Sequence, residues 1–140
     1  MTIAQALEKS AAVKPGMFSD DEKIAWLSQL DAQIDAEVIR THEGAPAAAF
    51  IPYTSGDGGW DTQTMLLAAA PYDKMYVTFL MAQMDFYHAD YDKFNNNQRR
   101  FEAEYMDFVS WYNRMHMPRR ESEIRLGNKA DTAHLPRELM

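Results

Sequence analysis

The sequence predicts an all-α fold, a small bundle of three to four helices with a long irregular loop and a flexible C-terminal tail. Three features point there. Apolar residues recur at helical spacing in two separate stretches, a capping pattern marks the start of the first, and Gly and Pro gather between them. The helical body is assigned to residues 1–118 and the polar tail to 119–140.

Residues 2–13 are read as a short helix with Ile3, Ala6 and Leu7 on one side, ended by Pro15-Gly16. Ser19-Asp20-Asp21-Glu22 then has the capping-box pattern. In it the serine oxygen and the glutamate carboxylate satisfy orphan amides, and three acids sit at the positive end of the helix. Ile24, Leu27, Leu30, Ile34 and Val38 fall within an arc of ~120° at helical pitch, predicting a helix over 20–41. Trp26 lies just outside that stripe and marks a second contact.

Residues 42–70 break the pattern. Gly44, Pro46, Pro52 and Ser55-Gly56-Asp57-Gly58-Gly59 prevent a long regular element, and Ala47–Tyr53 is read as a short strand. A loop this long in a small domain is usually functional or flexible, which makes it a candidate contact loop. Trp60 and Met65-Leu66-Leu67 are apolar enough to anchor it.

Pro71, with Asp73 behind it, opens the next helix. Ten of the thirteen residues from Met75 to Tyr87 are hydrophobic, so this helix is expected to lie between neighbours. Asn95-Asn96-Asn97 predicts a break. Phe101, Tyr105, Phe108, Tyr112 and Met115 then share one ~80° face, and Pro118 stops the run. Helical phase carried back through the Asn run places Phe94, Tyr91, Tyr87, Leu80 and Tyr76 on the Phe101 face, leaving one kinked helix as the alternative. Two helices are preferred, because a helix of about 45 residues is rare in a small domain.

Composition is that of an ordinary folded domain, with 46% hydrophobic and 25% charged residues among 140. Ten Met, seven Tyr, seven Phe and three Trp are the unusual feature, suited to irregular helix packing or a broad protein contact. The formal net charge is −7. Residues 1–117 hold nine Lys/Arg against 17 Asp/Glu, whereas 118–140 hold five against four. An acidic body repels phosphate, so sequence-independent grip on nucleic acid is not expected, although such a body can surround a duplex without holding it. There is no Cys, which excludes disulfides and thiol chemistry. Neither a signal peptide nor an apolar run of ~18 residues is read, so a cytosolic protein without membrane contact is expected.

No catalytic, metal-ligating or cofactor-binding constellation is read. Asp85, His88, Tyr91 and Asp92 cluster at helical spacing, but no Glu-x-x-His occurs, and a polar helix edge accounts for them. The Gly56–Gly59 run lacks the Lys-Ser/Thr of a phosphate cradle, and Asp57 to Asp61 lacks the alternating ligands of a calcium loop. Ser55 has no paired base. Arg99-Arg100 is read as solvated helix surface, and Trp111 and Tyr112 as core. Trp60, on a Gly-rich loop, is read as interface, since a large aromatic there needs something to pack on.

The order of these segments carries a resemblance. Ser19-Asp20-Asp21-Glu22-Lys23-Ile24, a variable loop, Pro71-Tyr72-Asp73-Lys74-Met75-Tyr76 and an ending from Phe108-Val109-Ser110-Trp111-Tyr112 to Met117-Pro118 resemble prophage-encoded head–tail connector (adaptor) proteins of tailed bacteriophages, over residues 2–118. The resemblance implies a virion structural subunit in the neck, present in host cytoplasm during assembly. It implies a homo-oligomeric ring, commonly of twelve, beneath the portal protein, extending the DNA channel and receiving the next neck or tail-completion protein. DNA would pass without sequence-specific binding, and no cofactor is implied. Subunit contacts are expected from residues 43–66, with Phe50, Tyr53 and Trp60, and portal contacts from 118–140, with Arg119, Arg120 and Arg125. The Gly-rich loop and the tail are longer here than in that pattern.

Two other readings stay open. One is a small helical protein-binding or regulatory module that captures a partner in a groove. The other is an enzyme with a carboxylate–His site, which requires Asp85, His88 and Asp92 to converge in a pocket. The assembly reading in turn expects apolar helix faces beyond what one subunit can cover.

Overall fold

Hydroxyl caps start the first two helices. Helix α1, Ile3–Val13, opens on a full capping box: Thr2 Oγ1 accepts from the Gln5 amide at 3.2 Å, and the Thr2 amide donates to Gln5 Oε1 at 2.9 Å. Helix α2, Asp20–Ile34, opens on Ser19, whose Oγ accepts from the Glu22 amide at 3.2 Å. Strands β1 (Ser55–Gly56) and β2 (Gly59–Trp60) and helices α3 (Lys74–Tyr87) and α4 (Tyr91–Met115) follow. The computed structural model describes residues 1–16, 18–56 and 58–119. Arg120, Arg125 and the rest of the tail beyond Arg119 lie outside the described residues. Within them the fold is the all-α bundle that the periodicity predicts, with four α-helices.

The α2 stripe is the centre of the core. Ile24, Leu27, Leu30, Ile34 and Val38 are each at most 2% exposed. Burying a side chain of this size contributes about 1.5–3 kcal/mol, so the five together are a large source of stability. It packs with Ile3, Ala6 and Leu7 of α1, Met75, Tyr76 and Leu80 of α3, and Phe101 and Phe108 of α4. Helix α3 touches all three other helices, the physical reason its sequence is apolar nearly all round. Met1 meets Asp73 and Lys14 meets Asp85, so α1 runs parallel to α3. Phe79 meets Phe101 at 5.1 Å between ring centroids, Phe86 meets Phe94 at 5.4 Å and Tyr72 meets Trp111 at 5.2 Å. The pairing ascends one helix as it descends the other, so α3 and α4 form an antiparallel hairpin.

That hairpin turns at His88–Asp90, before the Asn run that was expected to break it. Ala89 enters the left-handed region at φ 57°, and the Asp90 amide donates to the Asp85 carbonyl at 2.9 Å. The Asp90 carboxylate then caps α4 by accepting from the Lys93 amide at 3.4 Å. Asn95-Asn96-Asn97 stays helical because Asn97 has a tertiary partner. Its Nδ2 donates at 2.6 Å to Asp85, a fully buried carboxylate whose other oxygen pairs with the Lys14 ammonium. The face that one continuous helix would have carried is therefore split. Tyr76 and Leu80 are buried, while Tyr87 and Tyr91 are exposed.

Helix α2 continues into a π-helical turn, Asp35–Ile39, closed by the Arg40 amide donating to the Asp35 carbonyl at 2.9 Å. The described residues from there to Asp73 are mostly irregular, with antiparallel pairing of Ser55 with Trp60 and Gly56 with Gly59 and isolated bridges from Met65 to Thr2 and from His42 to Pro118. Ala47–Tyr53 is not the strand expected. Side chains of the π-helical turn and of α2 take two of its amides instead: Phe50 donates to Asp35 Oδ2 at 3.3 Å and Tyr53 to Ser28 Oγ at 3.0 Å. These two amides are thereby satisfied without a partner strand. Pro71 precedes α3 rather than forming its first turn, since the helix begins at Lys74. Beyond α4 the chain returns alongside the residues that follow the π-helical turn, where the Glu43 amide donates to the Met117 carbonyl at 2.9 Å and the Arg119 amide to the Thr41 carbonyl at 2.8 Å.

Candidate functional site

Where α3 gives way to α4, aromatic side chains from three parts of the chain meet. Phe86 and Tyr87 close α3, Tyr91 and Phe94 open α4, Phe18 precedes α2, and Trp26 sits beside the α2 stripe. Trp26 stacks on Tyr87 at 5.6 Å and 9°, so the second contact expected of it is this corner. Phe18 packs edge-on against Trp26 at 5.3 Å and lies 4.9 Å from the His88 ring. Phe86 meets Tyr87 at 5.4 Å and Phe94 at 5.4 Å, which makes the cluster continuous. Oriented aromatic pairs of this kind stabilise by about 0.5–1.5 kcal/mol each, so the corner is held in shape by its own packing. Yet it is open to solvent: Phe86 is 47%, Tyr87 60% and Tyr91 58% exposed. A preordered aromatic surface of this kind has the composition of a protein contact. Periodicity alone does not locate it, because α3 is apolar nearly all round.

Phe50, Tyr53 and Trp60, the expected contact loop, are all half-buried against α2. Trp60 Nε1 donates to the Asp21 carboxylate, and the Phe50 and Tyr53 rings meet edge-on at 5.2 Å. The loop is anchored on Asp31, a fully buried carboxylate. It accepts from the Tyr53 hydroxyl, from the Tyr76 hydroxyl at 2.6 Å and from the Leu67 amide at 3.2 Å. Burial pushes the Asp31 pKa up, and the three hydrogen bonds draw it part of the way back. Burial, together with the Asp31 hydrogen bonds and charge, also raises both tyrosine hydroxyls, which keeps them protonated as donors. One turn later Asp35 is held by Arg40 at 3.2 Å, and the same guanidinium donates to the carbonyls of Pro46 and Ala48. The loop therefore presents Ile51, Met65 and Leu67 outward, rather than the three aromatics. Within Met65-Leu66-Leu67 only Leu66 is buried as an anchor.

The second expected contact begins at Arg119, which is exposed and tied to Thr41 through its backbone. Beside it lies a cluster that the sequence reading missed. The buried His42 ring contacts the Val38 carbonyl through Nδ1 and the Asn113 side chain through Nε2, and meets Tyr112 edge-on at 5.0 Å. Tyr112 stacks on His116 at 4.0 Å. Trp111 and Tyr112, read as core, are half-buried around Phe108.

Comparison with protein-family models, curated proteins and solved structures finds no match to this chain. Asp85, His88 and Asp92 do not share a pocket. Asp85 is buried with Asn97 and Lys14, while His88 and Asp92 are exposed, His88 beside Phe18. Among the described residues no group of three or more His, Cys, Asp or Glu is placed to hold a metal ion. Nor, among them, is any helix long and apolar enough to cross a membrane.

Proposed function

We propose that this chain is a virion structural protein, a head–tail connector subunit that assembles as a ring beneath a portal protein and extends the DNA channel. The observation that carries the reading is the aromatic corner. The bundle buries a core of its own, yet Phe86, Tyr87 and Tyr91 remain open on a surface already ordered by Trp26 and Phe18. A neighbouring copy is the occupant assigned to that corner, since a contact between unlike surfaces of identical subunits makes a ring where its rotation closes. The acidic body fits a channel wall that DNA passes without adhering. The partners in this reading are other copies, the portal and the next neck or tail-completion protein, with no cofactor and no catalytic residue. The place is the virion neck, reached from host cytoplasm during assembly.

Electron microscopy of the concentrated protein, alone and mixed with a candidate portal, tests the proposal. Rings are expected, and a Phe86→Ser/Tyr91→Ser variant should lose them. A protein that stays monomeric at high concentration and never engages a portal overturns the reading. Capture of one soluble host protein by the corner, without virion association, replaces it with the small binding module.

A further inference from the structure

We infer that the molecule carries a second binding site, a groove between α1, α3 and α4 that takes an acidic, amphipathic peptide segment of another protein. The inference does not depend on the connector reading. The groove, about 430 Å³, is lined by Lys9 and Val13 of α1, Lys74, Val77 and Met81 of α3, and Arg100 of α4. Residues 1–117 hold nine Lys/Arg against 17 Asp/Glu, so a random patch of this body is acidic. Here three of the nine cations stand around one apolar floor.

Among the described residues those cations are weakly neutralised at most. Among the described residues neither Lys9 nor Lys74 has a carboxylate within ion-pairing distance, and Arg100 has only a long 3.7 Å contact with Glu104. Asp73, the one carboxylate lining the groove among the described residues, is taken by the Met1 ammonium at 3.1 Å. The local field therefore favours an anion, while Val13, Val77 and Met81 favour an apolar side chain. Val13 is largely exposed, and Met81 is unbranched and adapts to the shape of what it meets. Lys74 to Met81 spans about 10 Å of helix, the reach of roughly three extended residues, so a lone small anion leaves most of the floor uncovered. A segment that interleaves carboxylates with apolar side chains satisfies both parts at once.

A random-peptide display library selected on the whole chain tests this, with fluorescence anisotropy of the enriched peptides and NMR shift mapping. Enriched sequences should interleave Asp or Glu with Leu, Ile or Phe, and should shift the Val13, Val77 and Met81 methyls. Their affinity should fall about tenfold or more in Lys74→Glu/Arg100→Glu, and should fall as salt rises. Both substituted side chains are exposed, and circular dichroism checks that the variant keeps its fold. Failure to enrich any binder, enriched peptides without acids, equal affinity for the variant, or shifts centred on Phe86 to Tyr91 overturns the site. Tighter binding of dodecanoate than of any selected peptide does so too. Loss of ring formation with peptide binding intact would instead count against the connector reading alone.

Discussion

The Tyr76 hydroxyl donates to the Asp31 carboxylate at 2.6 Å and accepts from the Ala68 amide at 2.8 Å, so one oxygen joins α2, α3 and the long loop between them. Both side chains are fully buried. The loop is thereby tied into the core, and what it shows to solvent is fixed by what it hides.

Tyr76→Phe should destabilise the fold by about 2–3 kcal/mol. The substitution leaves the Ala68 amide and one oxygen of a buried carboxylate without their partner, and hydrogen bonds to charged groups contribute more than neutral ones. Urea unfolding followed by far-UV circular dichroism measures it. An unchanged midpoint would remove Asp31 as the anchor of the loop.

Asp31 also predicts a pH dependence of unusual sign. Burial raises its folded-state pKa above the unfolded value of about 3.9, against the smaller opposing effect of three hydrogen bonds. Its contribution to stability is therefore complete below the unfolded pKa and declines as pH rises through the folded one. Paired surface carboxylates do the opposite. The stability of the wild type relative to Asp31→Asn should accordingly fall from acid pH toward neutrality, measured by urea titrations across that range. A difference that stays flat, or that grows with pH, contradicts the assignment.

Ala89 holds φ 57° at the α3–α4 turn, a conformation that an L-residue with a Cβ disfavours by about 1–2 kcal/mol. Ala89→Gly relieves the backbone but adds freedom to the unfolded chain, so a net gain of about 0.5 kcal/mol is expected. Ala89→Val should lose about 1 kcal/mol or more, because a β-branched residue fits the left-handed region worst. Thermal unfolding of the pair gives the order, and a more stable valine variant would place the turn elsewhere.

The parts of the fold legible in the sequence were those governed by one repeating geometry. The α2 stripe from Ile24 to Val38 is buried as its spacing implies. At Ser19 only the serine half of the expected capping box forms among the described residues, whereas Thr2-Ile3-Ala4-Gln5 holds a complete one that could have been read the same way. The Asn run was misplaced because intrinsic propensity says nothing about a distant partner, and Asn97 remains helical through Asp85. The true break had its own local signal in Asp90, a capping residue ahead of Tyr91. Asp31 announced itself more quietly, as an acid inside the apolar arc of α2, where a carboxylate must find donors. The exposed corner had no such mark. Its rings are exposed only because the chain turns at His88, and that turn is a tertiary fact.

That corner separates two roles that a single substitution would confuse. Trp26 is half-buried and stacks on Tyr87, so Trp26→Ala should cost about 2 kcal/mol of stability by opening the cluster from beneath. Phe86 and Tyr91 lie on its outer side, and Phe86→Ser with Tyr91→Ser should change stability by only about 1 kcal/mol. If the outer rings serve a neighbouring copy, the double serine variant keeps its fold and loses self-association. Sedimentation velocity at high concentration, beside thermal unfolding of the same samples, reads both quantities. Undiminished association in the serine variant would mean that the corner is packing alone, and a loss of stability as large as that of Trp26→Ala would mean that its outer rings belong to the core.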